Sequence, residues 1–229
     1  MHSYSSVVPQ YPTVSATGEN VYPGCSDSGH SRQAVSVNLN SQSVVRLYKP
    51  ILKVTCDGFS NSTIRADDAE AFSKLRRELT ADNPIPMGLT MEEELARPLQ
   101  GFRDQLSYPE PNAAFGAFIG GELVASAAVA WPSKLPSSRH KTTLWGVFVS
   151  PRYRRNGLGR VVVQRAIKHA ESTGVRRINL TLYVPNPAAI KLYESLQFEH
   201  YGVEPEAIRI NDAYFDGCQM SRLSLGDSR

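Results

Sequence analysis

The stretch Val147–Arg160, VFVSPRYRRNGLGR, decides how this chain folds. Its pattern indicates an apolar strand that stops at Pro151, a basic turn, and a helix that begins at the Gly-x-Gly of Gly157 and Gly159. The first backbone N–H groups of a helix have no intrahelical partner and carry partial positive charge. Glycine lets a ligand approach that backbone closely. The stretch therefore predicts an anion site suited to a phosphate or pyrophosphate.

Two common phosphate-binding patterns do not fit this turn. A Walker loop needs Gly-Lys-Ser/Thr, but Gly159 is followed by Arg160 and Val161. A dinucleotide-binding loop needs a third small residue at the position of Val162. A solvated basic turn is the simplest alternative. It would account for four arginines among nine residues that include no carboxylate, namely Arg152, Arg154, Arg155 and Arg160.

The flanking sequence favours a third pattern. Arg154-Arg155-Asn156-Gly157-Leu158-Gly159 resembles the Arg/Gln-x-x-Gly-x-Gly/Ala signature of the GNAT N-acetyltransferase superfamily. Downstream, Leu180–Phe198 (LTLYVPNPAAIKLYESLQF) resembles the superfamily's element of strand, Asn, helix and Leu-Tyr. The resemblance is strong over residues 142–203 and looser over residues 45–225. One departure is Gln197, which stands where the family usually has Gly before Phe.

This resemblance implies an α/β fold, a single GNAT-like domain with a mixed central β-sheet flanked by helices. It also implies acetyl-CoA as co-substrate, held where two strands splay apart. The strand backbone would pair with the pantetheine as an added strand would, and the basic turn would hold the pyrophosphate. The expected cofactor-binding residues are Val147, Phe148, Val149, Arg154, Arg155, Asn156, Gly157, Leu158, Gly159, Arg160 and Asn186.

Tyr193 is the expected catalytic residue, because the resemblance places it near the thioester sulfur as the acid that protonates the departing thiolate. A core tyrosine is the alternative, since Ala189, Leu192 and Leu196 share its helical spacing. Asn186 likewise has two interpretations. It is suited to an N-cap before Pro187, and the resemblance also lets it reach the cofactor or the acceptor amine.

The sequence does not identify the general base. Many GNAT relatives carry a Glu on the strand before the phosphate turn, but Thr142–Trp145 offers no carboxylate. Glu122, His140, Glu204 and Tyr214 are weak candidates elsewhere in the chain. Water relayed to solvent is an equal alternative. No pair of histidines has metal-ligand spacing, so no metal is expected.

Composition bounds the remaining expectations. The net charge of +3 is too small to indicate nucleic-acid binding, and no apolar run is long enough for a membrane span. Cys25, Cys56 and Cys218 are widely separated and odd in number, which favours free thiols in a reducing, cytoplasmic setting. Residues 1–43, rich in Ser, Val, Tyr and Pro, are expected to form a poorly ordered arm before a domain at residues 44–229.

Periodicity and turn signals predict the order of elements. Helices are expected at Asp67–Leu79, at Thr90–Leu106 with an interruption at Pro98, at Gly157–Ser172 and after Asn186. The expected strands are Val44–Thr55, the hairpin Ala113–Ile119 and Glu122–Trp131, Thr142–Val149, a strand from Ile178 to Val184, Phe198–Val203 and Tyr214–Leu225.

The function expected from these features is N-acetyl transfer from acetyl-CoA to a primary amine, by direct attack in a ternary complex. The acceptor is a small molecule or a protein amine, and the protein is a monomer or a homodimer. The alternative is a non-catalytic module that binds or senses acyl-CoA. Neither the acceptor nor the range of acyl groups follows from the sequence.

Overall fold

The protein's structure, a computed structural model, describes residues 59–224. The arm expected at residues 1–43 and the strand expected at Val44–Thr55 lie outside the described residues, so the proposed domain boundary stays a prediction. The helices are α1 Ala69–Asp82, α2 Met91–Ala96, α3 Leu99–Leu106, α4 Leu158–Ser172 and α5 Pro187–Glu194. The strands are β1 Ser60–Ile64, β2 Ala113–Ile119, β3 Glu122–Ala130, β4 Lys141–Val149, β5 Arg177–Tyr183, β6 Glu199–Ile210 and β7 Ala213–Leu223.

Within residues 59–224, seven strands form one mixed sheet in the order β1-β2-β3-β4-β5-β7-β6. Neighbouring strands are antiparallel except β4 and β5, which run parallel. The fold class predicted from the sequence is confirmed. The parallel pair is also where the sheet opens: β4 and β5 are in register only at Lys141–Arg177, Thr142–Ile178 and Thr143–Asn179.

A β-bulge bends β4 just beyond the last of these pairs. On β3, Ser126 lies opposite Phe148 and Ala128 opposite Trp145, so two residues of β4 face one residue of β3. The first of the two is Gly146, which has a φ of 61°, and its carbonyl accepts a hydrogen bond from the Ser126 hydroxyl at 2.9 Å. A bulge increases the local bend and twist of its strand, so β4 diverges from β5 while keeping its pairing with β3.

Each face of the sheet carries its own hydrophobic core. On one face α4 packs against β2, β3 and β4, and its buried side chains recur at the helical period: Leu158, Val162, Val163, Ala166, Ile167 and Ala170. On the other face α1 and α3 pack over β1–β3 through Phe72, Leu75 and Phe102, which are at most 2% exposed. The two cores fix the end of β4 from both sides.

The predicted helix at Thr90–Leu106 begins and divides as expected. Glu93 N–H donates to the Thr90 hydroxyl at 3.2 Å, and Thr90 N–H donates to the Glu93 carboxylate at 2.7 Å, which is the capping box. Pro98 separates α2 from α3. Since proline has no N–H and clashes with the preceding turn, the chain restarts as a second helix.

The last hairpin departs from the prediction. The strand expected at Phe198–Val203 continues as β6 to Ile210, where it pairs with Ala213. Pro205 interrupts the sequence pattern of this strand. The pairing with β7 is irregular at the same place, between Glu204 and Ile208. Since β6 is the edge of the sheet, a residue without an N–H is tolerated there.

A buried ion pair joins α1 to α2. Arg76 donates from Nε and Nη2 to the two carboxylate oxygens of Glu94, at 2.9 and 2.7 Å. Glu94 is fully buried and Arg76 is 5% exposed. The guanidinium also lies 5.4 Å from the ring centroid of Phe148 and 5.9 Å from those of Phe72 and Phe102. The pair therefore ties the start of α2 to the divergent end of β4.

We expect Glu94→Gln to lower the free energy of unfolding by about 3 kcal/mol, because it leaves the buried Arg76 charge uncompensated. Urea denaturation followed by circular dichroism measures this loss. The control is Glu92→Gln in the same helical turn, where the side chain is exposed and a change within about 0.5 kcal/mol is expected. Equal losses in the two variants would contradict the assignment.

Candidate functional site

A cleft of about 580 Å³ lies where β4 and β5 separate. One wall is the β4 segment Val147–Val149 with the start of α4, and another is α5. All but one of the residues predicted to bind the cofactor line it, and so does Tyr193. They are Val147, Phe148, Val149, Arg154, Arg155, Gly157, Leu158, Gly159, Arg160 and Asn186.

The N-terminus of α4 faces this cleft without a protein cap. Gly157 occupies the N-cap position in the left-handed region, with a φ of 79°, and no side chain caps the helix. The first turn contains no acidic residue. A Cβ added to Gly157 would meet nothing within 4 Å, whereas one added to Gly159 would lie 3.4 Å from Val149 Cγ2 and 3.5 Å from Leu192 Cδ2. Gly157 thus keeps space open, and Gly159 packs α4 closely between β4 and α5.

Two of the four arginines are already paired with carboxylates. Arg152 donates to Glu122 at 2.8 Å and lies 3.4 Å from Glu78. The hydrogen bond between Arg152 and Glu122 is the main reason that the pKa of Glu122 is lowered and that of Arg152 raised. Arg154 contacts Asp82 at 2.8 Å and donates from Nε to the Val149 carbonyl at 3.2 Å. These pairs fasten the basic turn to α1 and to the start of β3.

The other two arginines, Arg155 and Arg160, form no ion pair with a carboxylate in the described part of the chain and line the cleft. Arg155 lines the cleft in a left-handed conformation with a φ of 65°, and it forms no ion pair within residues 59–224. Arg160 lines the cleft and donates to the Ser195 hydroxyl at 2.6 Å. The cations least committed to protein carboxylates are therefore those nearest the uncapped helix end.

Asn156 is the predicted cofactor residue that does not line the cleft. Its amide donates to the carbonyls of Tyr153 and Arg154, both at 3.3 Å. The side chain closes the turn on itself, so its contribution to the site is the shape of the loop.

Asn186 fulfils the capping interpretation. Its Oδ1 accepts a hydrogen bond from Ala189 N–H at 3.2 Å, and Pro187 is the first residue of α5. The residue also lines the cleft. The cap is confirmed, and contact between Asn186 and a ligand stays a prediction.

Tyr193 is both a core residue and a lining residue of the cleft. It is 7% exposed, and its ring meets Phe198 edge-on at 5.6 Å between centroids. Desolvation by burial raises the pKa of its phenol above the ordinary value. Its hydroxyl makes no hydrogen bond to another residue in the described part of the chain. The side chain is thus a neutral donor at the inner side of the cleft.

The segment between α1 and α2 also lines the cleft. Asn83, Pro86 and Met87 line it, together with Leu79 of α1. Gly88, with a φ of 69°, lies against Tyr183 at the end of β5, where an added Cβ would be 2.5 Å from the ring. Residues 131–140 and 202–214 contribute no lining residue to this cleft.

None of the four candidate bases lines the cleft. Glu122 is held by Arg152 and Lys74 at the start of β3. His140, Glu204 and Tyr214 are exposed. Sequence reasoning missed Tyr153, Ala188, Ala189 and Leu192 as lining residues. Ala188 and Ala189 precede Leu192 by four and three residues, a spacing that could have indicated a common helix face.

Residues 72–198, more than half of the chain, match the model of the acetyltransferase (GNAT) family. The chain belongs to the GNAT acetyltransferase family. Acetyl-CoA is the co-substrate of this family, so the predicted family and its co-substrate are confirmed. No helix within residues 59–224 is long and apolar enough to cross a membrane.

Curated relatives share only part of their length with this chain. The [ribosomal protein bS18]-alanine N-acetyltransferase of Escherichia coli K12 is 43% identical over 58 residues, which are 25% of this chain and 39% of that enzyme. The mycothiol acetyltransferase of Acidothermus cellulolyticus is 31% identical over 171 residues, covering 69% of this chain and 50% of that enzyme.

Solved structures agree in fold. A GNAT-family acetyltransferase from Streptococcus pneumoniae superimposes with a TM-score of 0.65 at 20% identity, covering 72% of this chain and 98% of that one. A phosphinothricin acetyltransferase from Sinorhizobium meliloti, solved with acetyl-CoA, has a TM-score of 0.63 at 18% identity over 75% of this chain and 92% of that one. The comparison supports the GNAT fold for this chain.

Gly157 and Gly174 offer a matched test of the anion site. Both have a left-handed φ, 79° and 77°, and at both an added Cβ would meet nothing within 4 Å. We expect each alanine variant to lose about 1–2 kcal/mol of stability from the same backbone strain. Only Gly157→Ala should weaken coenzyme A binding, by about tenfold, because its methyl group enters space beside the helix N–H groups. Calorimetric titration and thermal unfolding measure both effects, and equal coenzyme A affinity in the two variants would contradict the site.

Proposed function

We propose that this protein is an acetyl-CoA-dependent N-acetyltransferase that transfers the acetyl group to a primary amine by direct attack in a ternary complex. The observation that carries the proposal is one cleft that is lined both by an uncapped helix N-terminus and by the neutral phenol of Tyr193. A phosphate-bearing thioester needs both features, one to bind it and one to protonate its leaving group.

In the proposed complex, the pantetheine lies along β4 where β5 has moved away. The backbone of Val147–Val149 would pair with its amides as an added strand would. The diphosphate would accept hydrogen bonds from the first N–H groups of α4, and Arg155 and Arg160 would supply charge. Arg154 would contribute through the donors not used by Asp82 and Val149.

The acceptor amine would attack the thioester carbonyl from the side of residues 83–88. As the new C–N bond forms and the C–S bond breaks, the sulfur receives the proton of the Tyr193 hydroxyl, which solvent then restores. A backbone N–H near Phe148 or Val149 would stabilise the carbonyl oxygen as it gains charge. The amine nitrogen loses one proton, so the products are the acetamide and coenzyme A.

An acceptor that is protonated in solution must lose one further proton before its nitrogen can attack. At pH 7, neutralising an alkyl ammonium of pKa about 10.4 costs ~4–5 kcal/mol, whereas an α-amino group of pKa about 8 costs ~1 kcal/mol. No Asp, Glu or His lines the cleft in the described part of the chain. We therefore assign the proton to a water path to solvent.

The acceptor side of the cleft is apolar near the point of attack, where Leu79, Pro86 and Met87 lie. The names of the relatives point to two acceptor classes, an alanine of a ribosomal protein and a compound of the mycothiol type. Because the chain matches at most about half the length of either relative, both classes enter the test. A cytoplasmic location and a monomeric or dimeric state stay predictions.

The deciding experiment is a screen of acetyl-CoA with N-terminal peptides, lysine peptides, aminoglycosides and small amines, followed by thiol release and by mass spectrometry of the acetylated product. Turnover with one class establishes the enzyme and its acceptor. Coenzyme A binding without thiol release across the panel would contradict catalysis and favour the acyl-CoA-sensing alternative.

We expect Tyr193→Phe to lower kcat by about 100-fold, because general acid catalysis contributes at least that factor. The Kd for coenzyme A should stay within about threefold, since a phenyl ring keeps the packing against Phe198. Tyr201→Phe, at an exposed position on β6, is the matched control and should keep full activity. A kcat loss below threefold in Tyr193→Phe would rule out the phenol as the acid.

The pH dependence of the rate depends on the raised pKa of Tyr193. Its donor form is the neutral phenol, and a raised pKa preserves that form to higher pH. We expect kcat/KM to rise with pH up to the pKa of the acceptor, about 8 for an α-amine and about 10.4 for a lysine-type amine. A rate that falls between pH 8 and about 9.5 in the wild type but not in Tyr193→Phe would contradict this assignment.

A further inference from the structure

One ion pair joins the end of α1 to the basic turn that lines the cleft. Asp82 is the last residue of α1, and its Oδ2 lies 2.8 Å from Nη2 of Arg154. Arg154 lines the cleft where we propose that the diphosphate binds. Its Nε also donates a hydrogen bond to the carbonyl of Val149 at 3.2 Å. Asp82 itself does not line the cleft.

Asp82 leads directly into the acceptor wall. The next residues, 83–88, form a short turn in which Met87 N–H donates to the Pro84 carbonyl at 3.0 Å and Gly88 N–H to the Ile85 carbonyl at 3.0 Å. Asn83 and Met87 line the same cleft as Arg154. The Asp82–Arg154 contact is thus a short connection from the expected phosphate position to the wall where the acceptor would enter.

The remainder of α1 is held to the same turn independently. Glu78 accepts a hydrogen bond from the Ser150 hydroxyl at 2.9 Å and lies 3.4 Å from Arg152. With that attachment fixed, the Asp82 contact governs only the last turn of α1 and the acceptor wall at residues 83–88. Both partners are partly exposed, Asp82 by 36% and Arg154 by 47%, so the pair is free to tighten or loosen without disturbing the core.

We propose that Asp82 is a positioning residue that, through Arg154, couples occupancy of the phosphate site to the order of the acceptor wall at residues 83–88. The inference rests on the proposed coenzyme A site. A guanidinium has five N–H donors in a planar fork. Arg154 uses one of them for Val149 and forms an ion pair with Asp82 through Nη2, so a phosphate oxygen can be added without losing either partner.

The physical basis of this coupling is that the phosphate and Asp82 both fix the same side chain, that of Arg154. A long exposed side chain loses rotamer entropy when it is fixed in an ion pair. Once a phosphate fixes Arg154, its contact with Asp82 costs less entropy and is occupied more of the time. The turn after Asp82 then opens less often. By linkage, an ordered acceptor wall favours phosphate binding to the same extent.

The test uses the nucleotide half of coenzyme A, 3′-phospho-ADP, which carries the diphosphate but no pantetheine to touch the acceptor wall. Hydrogen exchange of the Met87 and Gly88 amides is measured by NMR with and without saturating ligand, and calorimetry gives its Kd. In the wild type we expect the ligand to slow exchange at both amides by about two- to threefold, the range set by a partly exposed ion pair.

Asp82→Asn should abolish this slowing while changing the Kd for 3′-phospho-ADP by no more than about threefold. Asp82→Glu, which retains the carboxylate, should restore part of the response. Glu70→Gln, at an exposed position in the first turn of the same helix, is the matched control and should respond as the wild type does.

Two results would overturn the inference while leaving the coenzyme A site intact. One is binding of 3′-phospho-ADP with unchanged exchange at Met87 and Gly88 in the wild type. The other is an undiminished response in Asp82→Asn. If the wild type binds neither 3′-phospho-ADP nor coenzyme A, the proposed cofactor site is wrong. The proposed coupling, which rests on that site, is then wrong as well.

Discussion

The separation of β4 from β5 after the Thr143–Asn179 pair is the constraint on which the rest of the site depends. A strand inside a sheet normally pairs along both edges, but beyond this point β4 pairs only with β3. The bulge at Gly146 bends β4 away from β5, and the Ser126 hydroxyl stabilises the bulge by donating a hydrogen bond to the Gly146 carbonyl. The free edge of β4 is therefore a consequence of the fold, and a ligand with amides of its own can complete it.

Charge is arranged around this opening so that the basic turn is held in place without losing its attraction for anions. Carboxylates on α1 and β3 bind Arg152 and Arg154, whereas Arg155 and Arg160 face the cleft beside the helix end. If all four arginines of the turn were unpaired, their guanidinium groups would repel one another and the turn would be mobile. With two of them fixed to acidic partners, the geometry of the remaining donors is set before a ligand arrives, which lowers the entropy cost of binding.

The half of the cleft that we propose binds the cofactor was predictable in its local structure, because its signals are local. The strand, the glycine turn and the helix occupy consecutive residues. The N-cap of α5 likewise involves only neighbouring residues, Asn186, Pro187 and Ala189. The other half depends on contacts distant in sequence. Glu78 and Asp82 meet the basic turn some 70 residues later, and nothing in α1 indicates that pairing. Pro205 concealed the length of β6 because a single-sequence pattern does not show that the strand is an edge.

Tyr193 shows why the structural and the catalytic interpretation of one residue need not exclude each other. The helical spacing that packs it in the core with Leu196 and against Phe198 is also what removes its phenol from water. Desolvation penalises the phenolate, so the same packing keeps the proton on the oxygen. A group with that environment is a poor base at any moderate pH. Its chemical use is as a hydrogen-bond donor and acid toward a charge that develops beside it, and the proposed mechanism places a thiolate there.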